Sequence, residues 1–181
     1  MNIDINQYDS TIDNAMFLSK VDNIYIMLYT AMMFNDMSRV DHKVSDDIMT
    51  RWQGIADNNK ANNRRHMYDQ LNVKSTTIDS VDIDEEGNII VKVTLVSRYL
   101  DYIIDSTNGK LITGNDQIRV EKINKLTLKK SANAKALSEA RHCPSCGDHA
   151  DLSKTGKCPS CGTIFNLDEY DYILDDIIVE N

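Results

Sequence analysis

Four cysteines in one short segment are the residues whose type and spacing most directly imply chemistry. They are Cys143, Cys146, Cys158 and Cys161, and the chain contains no other cysteine. Thiolates are the preferred ligands of structural zinc sites, and a two-residue gap lets one tight turn direct two sulfurs at a single ion. The spacing C-x2-C-x11-C-x2-C therefore predicts one structural zinc ion bound by four thiolates.

Both cysteine pairs lie in the same five-letter sequence, CPSCG, and the only two prolines of the chain, Pro144 and Pro159, lie inside these turns. Proline fixes the bend, and the following glycine allows the positive φ that the turn needs. Two disulfides are the alternative, but C-x-x-C bridges are strained and rare in reducing compartments. Four thiolates complete a tetrahedral shell, so His142 and His149 are expected to lie outside it and the zinc to be structural, not catalytic.

Composition and charge favour a folded, soluble, cytoplasmic protein. The 181 residues suffice for one main domain with a small appendage, and the net charge of −8 disfavours binding to a phosphate backbone. The N-terminus lacks the basic and small-residue signals of a secretory leader. The longest apolar run, residues 24–34, is about half of the roughly 20 residues that a membrane-spanning helix needs.

Two helices are predicted before the strands. Apolar residues recur at helical spacing from Phe17 to Ala31, and the second half of that helix is apolar nearly all round, which favours burial over an exposed apolar surface. Ser45 is a good N-cap for a second helix, whose buried stripe would contain Ile48, Trp52 and Ile55.

From Asn72 onward the apolar period changes to two, which indicates antiparallel strands. Gly87 and the Asn108-Gly109 pair mark two hairpin turns, and a third strand or pair of strands follows. Helices followed by a meander predict an α+β fold. His42 and His66 lie in predicted polar turns and are expected at the surface.

The predicted domain organisation has three parts. An α+β domain spans residues 1–131, a linker spans 132–142, and the zinc ribbon with an acidic C-terminal tail spans 143–181. In that tail Ile173, Leu174 and Ile177 predict a short docked helix.

Two stretches carry a family resemblance: YLDYIIDSTNGKLITG, residues 99–114, and CPSCGDHADLSKTGKCPSCGTIFNLDEYDYIL, residues 143–174. The chain resembles, from about Asp13 to Ile177, bacterial zinc-ribbon proteins of the Tim-forty-four-like family. These are related to the forty-four-kilodalton subunit of the mitochondrial inner-membrane import translocase. The resemblance implies a cone of the nuclear-transport-factor-two-like type, in which N-terminal helices pack on a curved antiparallel sheet around an apolar pocket. In the mitochondrial relative this domain docks to the inner membrane and helps to tether the import motor chaperone.

The functional hypothesis is a non-catalytic zinc-ribbon adaptor or scaffold of the transport type that binds a protein partner. Contact with a lipid surface or an apolar ligand is a further option, because five lysines precede the ribbon; they are Lys122, Lys125, Lys129, Lys130 and Lys135. A location peripheral to the inner face of the membrane would agree with that option.

Two alternatives stay open. Tyr99 and Asp101 share one strand face and could serve an enzyme of the cone type, although the sequence supplies no second catalytic group beside them. The ribbon could instead bind nucleic acid, against which its acidic flank argues. The sequence does not define the oligomeric state.

Overall fold

Two helices and a four-stranded antiparallel sheet form the fold. The computed structural model describes residues 3–134, 143, 145–149, 157–163 and 171–180. The α-helices and strands are α1 (Asn14–Met33), α2 (Asp46–Ala61), β1 (Arg64–Ile83), β2 (Ile89–Asp105), β3 (Leu111–Lys130) and β4 (Ile173–Glu180). Two short 3-10 helices, Ile5–Gln7 and Met37–Val40, precede α1 and α2.

Side-chain caps fix the first residue of each helix. Asp13 accepts a hydrogen bond from the Met16 backbone N–H at the start of α1, and Ser45 accepts one from the Ile48 N–H at the start of α2. These caps satisfy backbone donors that have no partner within the helix. The predicted second helix and its N-cap are thereby confirmed.

The sheet is a curved meander with the strand order β1-β2-β3-β4, and all neighbouring pairs are antiparallel. Register shifts interrupt all three pairings, and such bulges bend a strand and increase its twist. Gly87 and Gly109 occupy the two predicted hairpin turns with φ of 83° and 74°. The predicted α+β fold, with helices packed on a curved antiparallel sheet, is confirmed.

The core lies between α1 and the concave face of the sheet. From α1, Phe17, Tyr25 and Leu28 are fully buried, and on β2 Leu95 is fully buried opposite them. One side of α1 is thus covered, whereas Met27 on the other side is exposed. The expectation that α1 is buried nearly all round is wrong for that outer side, because the sheet covers the opposite side of the helix.

Three local expectations differ from the structure. β1 begins at Arg64 and not near Asn72, so His66 lies on a strand instead of in a polar turn. Ile55 is 49% exposed and does not continue the buried stripe of α2. The tail forms strand β4 and not a helix, because β3 offers it an open edge: Leu126 pairs with Ile177, and Leu128 pairs with Leu174.

A buried ionic cluster joins the N-terminus to the region where β3 ends and β4 begins. The Lys130 ammonium donates to Asp9 Oδ2 at 2.7 Å, and the Tyr172 hydroxyl donates to the same oxygen at 3.0 Å. Asp9 is only 7% exposed. Its burial raises its pKa, but hydrogen bonds from Lys130 and Thr11 and the Lys130 charge outweigh that effect and lower the pKa to about 2.

Within the described residues, no helix combines the length and the apolar character that crossing a bilayer requires.

Candidate functional site

The four predicted cysteines converge on one point. Their sulfur atoms lie within 4.8 Å of one another, with 3.6 Å between Cys143 Sγ and Cys161 Sγ and 3.8 Å between Cys146 Sγ and Cys158 Sγ. A tetrahedral zinc ion with Zn–S bonds of about 2.3 Å would separate its sulfurs by about 3.8 Å. All four are free thiols, so the disulfide alternative is not what the structure contains. The geometry fits a metal ion.

Two equivalent turns carry these sulfurs. In the first, the Gly147 N–H donates to the Cys143 carbonyl at 2.7 Å, and in the second the Gly162 N–H donates to the Cys158 carbonyl at 2.9 Å. Both glycines have positive φ, 73° and 74°. The repeated CPSCG sequence thus produces the repeated turn expected from it. One cysteine of each pair is buried, Cys143 and Cys158.

Protons are held unevenly among the thiols. The Thr163 hydroxyl hydrogen bonds to Cys161 Sγ, with the two atoms 3.0 Å apart. Together with the Thr163 backbone N–H and the thiols of Cys143 and Cys146, it lowers the pKa of Cys161 to about 6. The backbone N–H of Asp148 lowers the pKa of Cys146, but loss of water and the three neighbouring thiols raise it to about 12. A metal ion that binds all four sulfurs must displace these protons.

Histidine does not join the described cluster of metal-ligating groups, which contains the cysteines alone. His149 is exposed just after the first turn, and His142 lies outside the described residues. The structure therefore brings together the four residues chosen as ligands. That they bind zinc remains a prediction.

A second constellation lies in a cavity of about 260 Å³ between the helices and the concave face of the sheet. His66 Nε2 lies 2.7 Å from Asp101 Oδ1, and His66 Nδ1 lies 3.0 Å from the Tyr68 hydroxyl. A neutral imidazole satisfies both contacts, since Nε2–H donates to the carboxylate and Nδ1 accepts from the phenol. Burial raises the pKa of Tyr68, which keeps its hydroxyl protonated for this role.

Aromatic rings form most of the rest of the cavity wall. Tyr29 packs edge to face against Trp52 and Tyr68, with ring centroids 5.5 Å and 4.7 Å apart, and Tyr68 packs in the same way on Tyr99 at 5.5 Å. Such contacts fix the orientation of each ring. Ile55 and Val179 are exposed side chains of the lining and lie at the mouth.

Beneath these rings lies a buried polar network. The Tyr25 hydroxyl is 2.7 Å from Ser97 Oγ, and Asn124 Nδ2 donates to Ser97 Oγ and to the Leu95 carbonyl, both at 3.2 Å. Ser97 and Asn124 are fully buried. A buried network whose members are hydrogen-bonded rigidifies a core, so the cavity floor is firm.

Gly114 determines where the Asp101 backbone lies. It has a φ of 91° and pairs with Tyr102 beside the register shift between Leu100 and Asp101. A Cβ atom at this position would overlap the Asp101 carbonyl oxygen and the Tyr102 Cα. Only glycine allows this approach of β3 to β2, which holds Asp101 opposite Tyr68.

Sequence reasoning identified Tyr99 and Asp101 as a pair on one strand face, and both do line the cavity. It missed His66, which is the second polar group beside Asp101. The alternation of His66 and Tyr68 with outward residues was a usable signal, because a hairpin would place that face against Tyr99 and Asp101.

The outer side of α1 forms a groove of about 860 Å³. Met16, Ile26 and Met27 give it an apolar lining, and Lys20, paired with Asp171, lies at its polar side. Lys43 also lines the groove; burial lowers its pKa, whereas the charge of Asp171 opposes that effect.

The lysines before the ribbon do not act as one basic patch in the described part of the chain. Lys130 binds Asp9, Lys125 lies 3.5 Å from Asp79, and Lys122 lines the aromatic cavity. Lys135 lies outside the described residues. Strand alternation places Lys125 on the face opposite to Lys122 and Lys130, since successive side chains point to opposite faces.

The comparison with protein families decides the identity of the domain. The model of the Tim44-like domain matches residues 3–135. The chain belongs to the Tim44-like family. This confirms the resemblance noted from the sequence, and the cysteine turns of this Tim44-like protein lie beyond the matched residues.

Among solved structures, the crystal structure of the intermembrane space region of the chloroplast protein ARC6 matches with a TM-score of 0.45 and 9% identity. The match covers 90% of this chain and 95% of that chain. No curated protein matches this Tim44-like chain.

Proposed function

We propose that this Tim44-like protein is a non-catalytic adaptor of the transport type, which binds a hydrophobic segment of a protein partner at the groove along α1 and works close to a membrane surface. The proposal assigns no catalytic residue. It places the protein in the cytoplasm, at the inner face of the membrane, in agreement with the resemblance to the import scaffold.

The exposed apolar side of α1 is the observation that carries this proposal. Three side chains that line the groove are exposed, Met16 by 60%, Ile26 by 40% and Met27 by 36%, although the opposite side of the same helix is buried. Isolated exposed apolar side chains are common, but a contiguous set that lines a groove marks a surface for association. Methionine adapts its shape to varied apolar partners.

The ribbon is the second part of the proposal. Cys143, Cys146, Cys158 and Cys161 would bind one structural zinc ion, and the ribbon would present a second protein-binding edge. We keep the division into a domain of residues 1–131, a linker of 132–142 and a ribbon with acidic tail of 143–181. β4 qualifies it, because this strand of the tail belongs to the sheet of the first domain.

Site-specific photo-crosslinking in living cells tests the adaptor function. A photoreactive amino acid replaces Met27 in the full chain, and the matched control replaces Asn58, which is exposed on α2 and away from the groove. We expect a discrete protein adduct at position 27 that is absent at position 58.

The type of adduct distinguishes the outcomes. Crosslinks to lipid alone at position 27 would show that the groove contacts a membrane surface and not a protein partner. Equal crosslinking at positions 27 and 58, or none at either, would contradict a docking role for the α1 groove.

A further inference from the structure

The cavity between the helices and the sheet has a hydrogen-bonded polar wall, and binding of a partner at the α1 groove does not account for it. The chain Tyr68–His66–Asp101 runs along one side of it, and aromatic rings line the remainder. Buried polar groups cost free energy unless they are satisfied, and satisfied networks next to a cavity are typical of ligand sites. We infer that this cavity binds a small uncharged aromatic molecule that donates a hydrogen bond, of the phenol or indole class, to the Asp101 carboxylate.

The size of the cavity sets the size of the ligand. A dry protein cavity of about 150 Å³ accommodates benzene. The volume of about 260 Å³ therefore accommodates one substituted ring, and a long acyl chain would exceed it. The mouth between Ile55 and Val179 gives access from solvent.

The ring contacts favour an aromatic ligand. Tyr29, Trp52, Tyr68 and Tyr99 already pack on one another at centroid distances of 4.7 to 5.8 Å. A further ring can add to this arrangement edge to face, which aliphatic groups do less favourably. The firm network of Tyr25, Ser97 and Asn124 below keeps these rings in place.

The polar wall favours a ligand that donates. Both ring nitrogens of His66 already have hydrogen-bond partners, one in Asp101 and the other in Tyr68, so the imidazole has no polar atom left for a ligand. A carboxylate accepts several hydrogen bonds, and His66 supplies one of them to Asp101. Asp101 is half-buried, with 34% of its side chain exposed, so it can face a ligand in the cavity.

The charges favour an uncharged ligand. Among the described lining residues, Asp101 supplies one negative charge and Lys122 one positive charge. Because these two charges balance, a bound ammonium or carboxylate would bring an uncompensated charge into the cavity and would lose part of its hydration there. A neutral donor such as a phenol or indole avoids this cost.

Trp52 makes the test direct, because it is the single tryptophan of the chain and it lines the cavity. In the ¹⁵N-labelled full chain, its indole N–H gives one cross-peak, which is followed during titration with phenol, toluene, benzylamine or benzoate. We expect a saturable shift with phenol and an affinity for phenol about tenfold or more above that for toluene. Both charged probes should bind more weakly than phenol.

Asp101→Asn removes the charge while it keeps the shape. In this variant we expect the preference for phenol over toluene to fall to about threefold or less, since charge-assisted hydrogen bonds are roughly twice as strong as neutral ones. Asp79→Asn removes an exposed carboxylate outside the cavity and should leave the preference unchanged.

The wild-type titration alone can overturn the inference. Equal affinity for phenol and toluene would show that the polar wall recognises nothing, and tighter binding of benzylamine or benzoate would contradict the charge argument. An unchanged Trp52 cross-peak with all four probes would exclude a ligand site. The inference does not rest on the adaptor function, whose crosslinking test concerns the opposite side of α1.

Discussion

Replacing Asp9 by Asn should destabilise the protein in a way that depends on pH. The pKa of Asp9 is lowered from its usual 3.8 to about 2, and one pKa unit corresponds to about 1.4 kcal/mol. The difference of about 1.8 units means that ionised Asp9 stabilises the fold by about 2.5 kcal/mol at neutral pH. The Asp9 side chain is 5% exposed, so solvent screening reduces this value little.

The sign follows from proton binding. Because the folded-state pKa is the lower one, the stabilisation is present above about pH 4 and is lost as the pH falls toward 2. About half of it should be gone at pH 3. In Asp9→Asn the free energy of unfolding should thus be about 2 to 3 kcal/mol below wild type at pH 7, and the difference should shrink in acid.

Urea denaturation followed by circular dichroism at pH 7, 5, 4 and 3 measures this difference. Asp79→Asn is the matched control, because its ion pair with Lys125 is exposed and should contribute less than about 1 kcal/mol. A difference between wild type and Asp9→Asn that stays constant from pH 7 to pH 3 would refute the reasoning.

Three further predictions concern the metal site, one glycine and the core. Cys143→Ser should abolish binding of one zinc ion per chain, measured by native mass spectrometry, while the thermal melt of the sheet stays close to wild type; joint loss of both would make the ribbon integral to the core. Gly114→Ala should lower stability by about 1 to 3 kcal/mol and by more than Gly109→Ala, whose Cβ meets open space; equal melts would contradict this. Leu95→Ala should cost about 2 to 5 kcal/mol and the half-exposed Leu111→Ala about 0.5 kcal/mol in chemical denaturation, and similar costs would argue against the described core.

Local signals in the sequence were sufficient for the helices and turns. Ser45 caps α2, and Gly87 and Gly109 occupy the hairpin turns, because caps and turns depend on a few consecutive residues. The convergence of Cys143 and Cys158 was also predictable, since metal-ligand spacing fixes it.

Long-range pairing explains what the sequence did not reveal. His66 becomes a cavity residue through its register with β2, and its polarity alone suggested a surface turn, whereas its alternation with Tyr68 indicated one face of a strand. β4 was mistaken for a helix because Ile173, Leu174 and Ile177 fit both periods, and the open edge of β3 decided between them. The exposed side of α1 was the less favoured alternative for the same reason, as the number of elements that cover a helix is a tertiary property.

The position of the cysteine segment has a mechanical consequence. Residues 131–172 connect two neighbouring antiparallel strands, β3 and β4. A force applied to this segment would therefore separate the two strands one residue pair at a time, beginning at Lys129 and Ile173. Unzipping meets less resistance than shearing many hydrogen bonds together. Separation of the first pair is nevertheless opposed, because Asp9 is hydrogen-bonded both to Lys130 at the end of β3 and to Tyr172 just before β4. A load applied through the cysteine segment would therefore reach both the N-terminal segment, through Asp9, and the residues before α2, through the backbone hydrogen bonds of Leu174 with Lys43 and Ser45, before β4 could detach.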